Sequence, residues 1–483
     1  MSAVKSGLFS VTNKAIQVVL AICSMAILGR LLTPEDFGLF SLVLSIQIFF
    51  SPVLNLGLAQ AYIMEPQVNQ STENAYHNIN LIMAAINAIF LMTAAPFLAH
   101  FYQKPVLFNM TIFFSGSILL SAMSTQRMAY FTRQKRFGLL MIIDSATQFG
   151  GIISAIIAGV CGFGVWALLI RAWCVAFLRS ILTRIISSQK YYNSSYAQII
   201  KNVSKMRFGF ELTISRILQT LMLSADKLFF GKFFDIMYLG FYTKAIETAR
   251  LPESHISMAI TTPAFSYLTR QSKKQRIINY KLFCNLVLLI AVIPAGMSVV
   301  IGDLLMPFIM GNQWIAAGVY LQLLGVWSVG KVIQRISGLI YMSEGETKKL
   351  IIVDGMAFPI VLGSAVMCAI IGNTPIWFVI GLSLSSLCYW LVILFFCLYG
   401  LEHNVHSFRK VGKTFMTISI LLVFVYMFRL FIIDLAFDMG PNATLFSVLA
   451  FSAILVFPIQ LIFNRKQFIE VLLYIKSGLL KLT

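Results

Sequence analysis

The sequence predicts an all-α membrane protein of about fourteen transmembrane helices, set out as two parallel-repeat six-helix bundles around a central cavity plus two C-terminal helices. Three observations carry that reading. Of 483 residues, 59% are hydrophobic and 11% charged, whereas a soluble domain carries about 25% charged residues. Lysine and arginine gather on alternate loops. A glycine-centred motif from the first hairpin returns in the second half at unchanged spacing.

The apolar runs are continuous rather than alternating, which excludes a barrel and leaves helices as the only way to satisfy the backbone in lipid. In the first run, near 10–32, the apolar stretch has Lys5 and Lys14 ahead of it, somewhat as in a signal peptide. Arg30 and a second run at 37–59 follow at once, so it reads as a retained helix. Runs at 79–99, 107–126, 139–160 and 163–184 complete a first set of six. The stretches 208–230 and 236–260 carry Glu211, Arg216, Asp226, Lys227, Lys244, Glu247 and Arg250, and hydropathy alone leaves them undecided. Runs at 281–301, 314–342, 350–371 and 375–398 complete the second set, and 414–434 and 443–463 end the series. The implied domains are residues 1–190, 191–400 and 401–483, the last being two extra helices with a tail.

With the N-terminus in the cytoplasm, loops on that side hold Arg127, Arg133, Lys135, Arg136 and the basic groups of 179–207, 270–281, 348–349, 409–413 and 465–481. Opposite loops hold only Lys104 and Lys232. The turn near 60–78 has neither residue and is assigned by parity. This is the positive-inside pattern, so both termini are expected in the cytoplasm. The net charge of +19 is thereby a topological signal, and no nucleic-acid partner is expected. All seven cysteines fall in apolar runs without a CxxC pair and read as small buried residues.

Gly29-Arg30-Leu31-Leu32 with Phe37-Gly38-Leu39-Phe40 matches Gly231-Lys232-Phe233-Phe234 with Leu239-Gly240-Phe241-Tyr242, without a gap. Since the first copy turns span one into span two, the second turns span seven into span eight, and the charged pair crosses. Ile143-Asp144, Ser154-Ala155 and Gly162 likewise parallel Val353-Asp354, Ser364-Ala365 and Gly372 in spans five and eleven. Two halves that start from one side are parallel repeats, which commonly flank a central site.

An ionisable side chain at mid-membrane costs about 2.5–3.5 kcal/mol on insertion scales, so it faces a cavity or a partner. The candidate cavity cations are Arg30, Arg171, Arg216, Lys227, Lys244, Arg250, Lys331 and Arg335. Glu211, Ser215 and Gln219 share one face of span seven, with Thr220 on the adjoining strip. Local ion pairing of Lys244 or Arg250 with Glu247, and snorkelling of Arg30 to the interface, are the competing structural readings. Interfacial packing is the competing reading of Asp144 and of its repeat mate Asp354. The excess of cations suits an anionic substrate such as a phosphate or pyrophosphate.

Other motifs fail. Gly325-Val326-Trp327-Ser328-Val329-Gly330-Lys331 begins like a P-loop, but Val332 replaces the magnesium-binding hydroxyl. His403 and His406 beside Glu402 read as solvated loop residues rather than metal ligands. No metal or cofactor is expected.

Gly29-Arg30-Leu31-Leu32-Thr33-Pro34-Glu35-Asp36-Phe37-Gly38-Leu39-Phe40-Ser41-Leu42 resembles the opening motif of bacterial polysaccharide transporters. Ala225 to Lys232, Leu239 to Tyr242 and Leu251-Pro252 resemble that family's middle motif, and Met310-Gly311-Asn312-Gln313-Trp314 its outer-loop motif. The resemblance is to Wzx-type flippases of the multidrug/oligosaccharidyl-lipid/polysaccharide exporter superfamily, of the colanic acid exporter or lipopolysaccharide biosynthesis type. It implies bundles open alternately to each side of the bacterial inner membrane and an undecaprenyl-pyrophosphate-linked oligosaccharide as cargo. It also implies cavity cations on the pyrophosphate and sugar acids, with membrane lipid and the pathway's polymerase and chain-length regulator as partners. Where related transporters couple to ions they use intramembrane carboxylates, for which Asp144 and Glu247 are the candidates here. An ion-coupled multidrug exporter of the same superfamily is the second reading, disfavoured by the basic bias. A membrane polymerase or ligase is third, since no outer loop is long enough for a catalytic domain.

Overall fold

The computed structural model describes residues 3–55, 58–65, 68–187, 189, 224–251, 271–402, 426–430 and 443–450, with isolated positions in 254–269 and 416–423. Among the described residues the regular structure is helical, without a strand. Eight of these helices are long and apolar enough to cross a membrane. The chain forms two compact units, Met1–Gly240 and Phe241–Thr483.

The first unit begins with α1 (Ala3–Leu31), α2 (Pro34–Asn55) and the short α3 (Leu58–Met64). It continues with α4 (Gln70–Phe101), α5 (Val106–Arg133), α6 (Phe137–Val160) and α7 (Trp166–Ile186). A helical stretch at 224–233 then leads into α8 (Ile236–Ala249), whose first turn belongs to this unit. α4 packs on α5, α5 and α6 both pack on α7, and α1 lies against α6.

Two residues separate α1 from α2, and a reciprocal cap explains the sharp start. The Asp36 carboxylate accepts from the Thr33 backbone N–H at 2.9 Å and from its hydroxyl at 2.8 Å, while Asp36 N–H donates to Thr33 Oγ1 at 3.3 Å. Pro34 occupies the first helical position, where its missing N–H costs nothing. Asp235, the aligned position of the second motif copy, caps α8 by accepting from Met237 N–H at 2.8 Å.

The second unit holds α9 (Lys273–Met310), a 3₁₀ turn at Asn312–Trp314, α10 (Ile315–Ser343), α11 (Thr347–Gly372) and α12 (Pro375–Glu402). α9 packs on α10, α10 on α12, and α11 on α12. The same order of pairing occurs in the first unit, in α4 on α5, α5 on α7 and α6 on α7. The turn from α9 to α10 needs Gly311, whose φ of 100° an L side chain rarely adopts. It drops Trp314 into full burial, edge-on to Phe241 with ring centroids 5.8 Å apart.

Three expectations are corrected. The 60–78 segment is no open loop: it contains the end of α3 and the first turns of α4, which starts nine residues before the apolar run. Tyr62, Tyr76 and Ile79 are buried there with Ala129, and Tyr62 donates to Glu73 at 2.8 Å. Arg133 closes α3 by donating to the carbonyls of Tyr62, Ile63 and Glu65 at 2.9, 3.3 and 2.6 Å. Second, α9 runs 38 residues, well beyond the 281–301 run. Third, of the cysteines only Cys284 and Cys397 are buried, while Cys23, Cys161 and Cys388 are exposed on helices or at their ends. Arg216, with Glu211, Ser215, Gln219 and Thr220 on its predicted helix, lies outside the described residues, as do Pro252, His403, His406 and the basic groups at 190–207, 409–413 and 465–481.

Candidate functional site

Several charged side chains of the described helices join one helix to another. In the first unit, α6 and α7 share two polar rungs. Arg179 Nη2 meets Asp144 Oδ1 at 3.1 Å, and Arg171 Nη2 reaches Gln148 Oε1 at 3.5 Å. Asp144 and Gln148 are four residues apart and Arg171 and Arg179 eight, spacings that keep each pair on one helix face. Arg30 is exposed in the last turn of α1, where a cation complements the helix dipole. Lys227 is buried beside Asp226 in the 224–233 helix.

One end of this unit is clamped by the Phe101–Pro105 turn. Lys104 pairs with Glu35 at 2.9 Å. Lys232 donates to the Phe101 carbonyl at 2.7 Å, with its ammonium 4.1 Å from the Phe101 ring centroid. Tyr102 donates to the Leu228 carbonyl at 3.1 Å, and burial pushes its phenol well above the usual range. Here the two motif copies meet. A Cβ on Gly38 would lie 2.1 Å from the carbonyl oxygen of Ile236, and one on Gly240 would lie 1.8 Å from that of Pro34. Gly38 aligns with Gly240 and Pro34 with Ile236, so the contact is reciprocal.

The second unit assembles a polar group around one indole. Trp327 of α10 is buried, and two cations approach its indole. The Arg250 guanidinium, just past α8, and the Lys331 ammonium, one turn on, each lie 5.5 Å from a ring centroid. Lys331 Nζ donates to Gln334 Oε1 at 2.8 Å, and Gln334 Nε2 donates to Asp354 Oδ1 of α11 at 3.0 Å. Arg335 is exposed on α10. On α8, Lys244 and Glu247 form the local ion pair at 2.8 Å, in the half-buried range. The structure therefore brings the candidates Arg250 and Lys331 into one chain of contacts with Asp354, whose reading from the sequence is interfacial packing. Asp144 is joined to Arg179, and Glu247 to Lys244.

Reading the sequence missed the neutral connectors Trp327, Gln334 and Gln148, and also Arg429. Arg429 is buried, with Nη1 on the Val300 carbonyl and Nη2 on Asp303, which also accepts from Gln322 Nε2 at 3.0 Å. An arginine within the 414–434 apolar run was the signal available for it.

The family model described as "Polysaccharide biosynthesis protein" matches residues 27–319. The teichuronic acid biosynthesis protein TuaB of Bacillus subtilis is 20% identical over 333 residues, 68% of each chain. An uncharacterized membrane protein in the cps region of Klebsiella pneumoniae is 22% identical over 352 residues, 72% of each chain. The succinoglycan biosynthesis transport protein ExoT of Rhizobium meliloti is 21% identical over 270 residues, 55% of this chain and 54% of its own. Among solved structures, the lipid II flippase MurJ in an inward closed conformation superposes with a TM-score of 0.71 at 14% identity, over 95% of this chain and 99% of that one. An inward-facing MATE multidrug transporter of the MOP superfamily gives 0.61 at 12% identity, over 83% and 96%. At these identities the likeness is one of fold.

Proposed function

We propose, from the premise that the chain belongs to the polysaccharide biosynthesis protein family, that it is a flippase moving undecaprenyl-pyrophosphate-linked oligosaccharides across the bacterial inner membrane by alternating access. It is a multi-pass membrane protein, and in this reading it transports rather than catalyses, with about fourteen spans in two parallel six-span repeats and both termini in the cytoplasm. The repeated order of helix contacts in the two units supports the repeat. The names of TuaB and ExoT, both tied to polysaccharide biosynthesis, support the cargo class.

The observation that carries the reading is the Arg250–Trp327–Lys331 group: two cations on one buried indole. Such a group suits a diphosphate, whose oxygens accept from both and whose charge offsets theirs. Arg30, Arg171, Arg216, Lys227, Lys244 and Arg335 extend the basic surface that the substrate passes, and Asp144 and Glu247 are the coupling carboxylates. A multidrug exporter for cationic drugs would need carboxylates open to cargo. Here Asp144 and Glu247 already hold Arg179 and Lys244.

Complementation of a flippase-deleted strain tests this, read as surface polysaccharide at matched protein level. Charge-assisted bonds contribute about 1.5–3 kcal/mol each, so Arg171→Ala and Arg250→Ala should each cut export about tenfold or more. Lysine at either position should restore part of it, since it keeps the charge without the paired donors. Lys349→Ala, at an exposed surface pair with Glu346, should export normally. Normal polysaccharide from both arginine-to-alanine variants would sink the assignment of the cluster.

A further inference from the structure

We infer that Asp354 is a proton switch that acts through the Gln334 amide on Lys331, so that anion binding at the Arg250–Trp327–Lys331 group takes up a proton. The inference rests on reading that group as the anion site.

Asp354 and its counterpart in the first unit, Asp144, have different partners. Asp144 meets a full charge, Arg179, at 3.1 Å. Asp354 meets a neutral amide, Gln334, at 3.0 Å. The amide has two unlike ends, and only one orientation serves both neighbours. A carboxylate only accepts hydrogen bonds, so it takes the Gln334 NH₂. An ammonium only donates, so Lys331 takes the Gln334 oxygen at 2.8 Å. Ionised Asp354 and held Lys331 therefore belong to one arrangement.

A proton on Asp354 reverses the requirement. The carboxyl O–H becomes a donor, and the acceptor beside it is the Gln334 oxygen once the amide turns over. The turned amide presents its NH₂ to Lys331, donor against donor, and the ammonium leaves for another acceptor. A phosphate oxygen next to Trp327 provides one, with Arg250 on the same ring. One proton is added to an Asp354 oxygen and no covalent bond other than that O–H changes. Among the described residues, the charged and titratable groups facing Asp354 are Lys331 and Arg335 from α10 and Tyr389 from α12. The Tyr389 hydroxyl is committed to the Val353 carbonyl at 2.6 Å, which leaves Gln334 as the hydrogen-bond partner that must respond. Gln334 is thus a positioning residue.

The experiment uses the full chain in nanodiscs with undecaprenyl diphosphate as probe, measuring affinity across pH and protons taken up on binding. The probe's own titration is common to all variants and cancels in their difference. From the alkaline to the acid end, wild-type affinity should rise about tenfold more than that of Asp354→Asn, whose pH dependence is the probe's alone, a coupling of ordinary size. Asp354→Asn, a neutral donor and acceptor, should show no proton uptake by the protein. Gln334→Leu should lose most of the coupling while Asp354 still titrates. Full wild-type coupling in Asp354→Asn would overturn the switch. Full coupling in Gln334→Leu would also overturn it, by showing that charge alone acts. A second readout needs no ligand: pH-difference infrared spectra of the free protein with isotope-labelled glutamine. A carboxylic acid band lost in Asp354→Asn, together with a glutamine amide response lost in Gln334→Leu, supports the switch even if no form binds the probe, in which case the flippase reading falls alone. Absence of either band overturns the switch.

Discussion

Arg429 shows what a single buried cation requires. Its guanidinium has left water, and the Val300 carbonyl and the Asp303 carboxylate replace its hydration. Removing one partner of such a pair strands the other and costs about 3–5 kcal/mol, whereas apolar residues at both positions cost little. Arg429→Met should therefore lower the thermal stability of the purified protein clearly, and the double variant Arg429→Met/Asp303→Leu should recover most of the loss. Equal loss in both proteins would mean that Arg429 acts through packing of its stem alone. Charged residues were the part of the site legible in the sequence, because a charge inside an apolar run stands out against its neighbours. Arg250 and Lys331 were found that way, whereas Asp354 stood out as a charge but was read as interfacial packing. Trp327 and Gln334 were not, because an aromatic and an amide are ordinary in a helix. Their role follows from contacts such as Gln334 to Asp354, twenty residues apart on different helices.

Helices were legible to the extent that lipid exposure marks them. The apolar runs located α6, α7, α10, α11 and α12 closely, because in those helices the apolar stretch extends nearly to both ends. They failed at α3 and at the start of α4, where Asn69 caps the helix by accepting from Thr72 N–H at 2.8 Å and Glu73, Asn74 and His77 are buried against protein. Hydropathy reports contact with lipid, and a polar turn packed on its neighbours looks like a loop. The crossing of α2 and α8 gives a test at this scale. A methyl group at Gly38 or Gly240 would overlap a backbone carbonyl that cannot rotate away, and overpacking of this kind costs about 1–3 kcal/mol. Gly38→Ala and Gly240→Ala should each lower the melting temperature. Gly355→Ala in α11, where a Cβ would meet nothing within 4 Å, should be neutral or stabilising by up to about 1 kcal/mol. Unchanged melting of both crossing variants would mean that the helices do not meet at these glycines.

For the whole molecule, the two-sidedness of the membrane is the main constraint. Lys104 on Glu35 and Lys232 on the Phe101 carbonyl gather three turns, near 33, 103 and 234, at one end of the first unit. Reporter fusions after residues 104, 235 and 438 should accordingly report the periplasm, and fusions after 136, 275 and 410 the cytoplasm. A cytoplasmic signal at 235 would contradict both that clustering and the crossing of the charged spans. The glycine contact at this end also bears on how such a chain can evolve. Each glycine is held by the backbone of the other motif copy, so mutation in one copy is policed by the other. A residue inserted between a helix cap and its glycine would swing that glycine by about 100° around the helix axis and put a side chain against a carbonyl. Amino acids around the glycines can drift as long as the count from cap to glycine stays fixed. Length is inherited where identity is not, which is why two stretches with few residues in common still align without a gap.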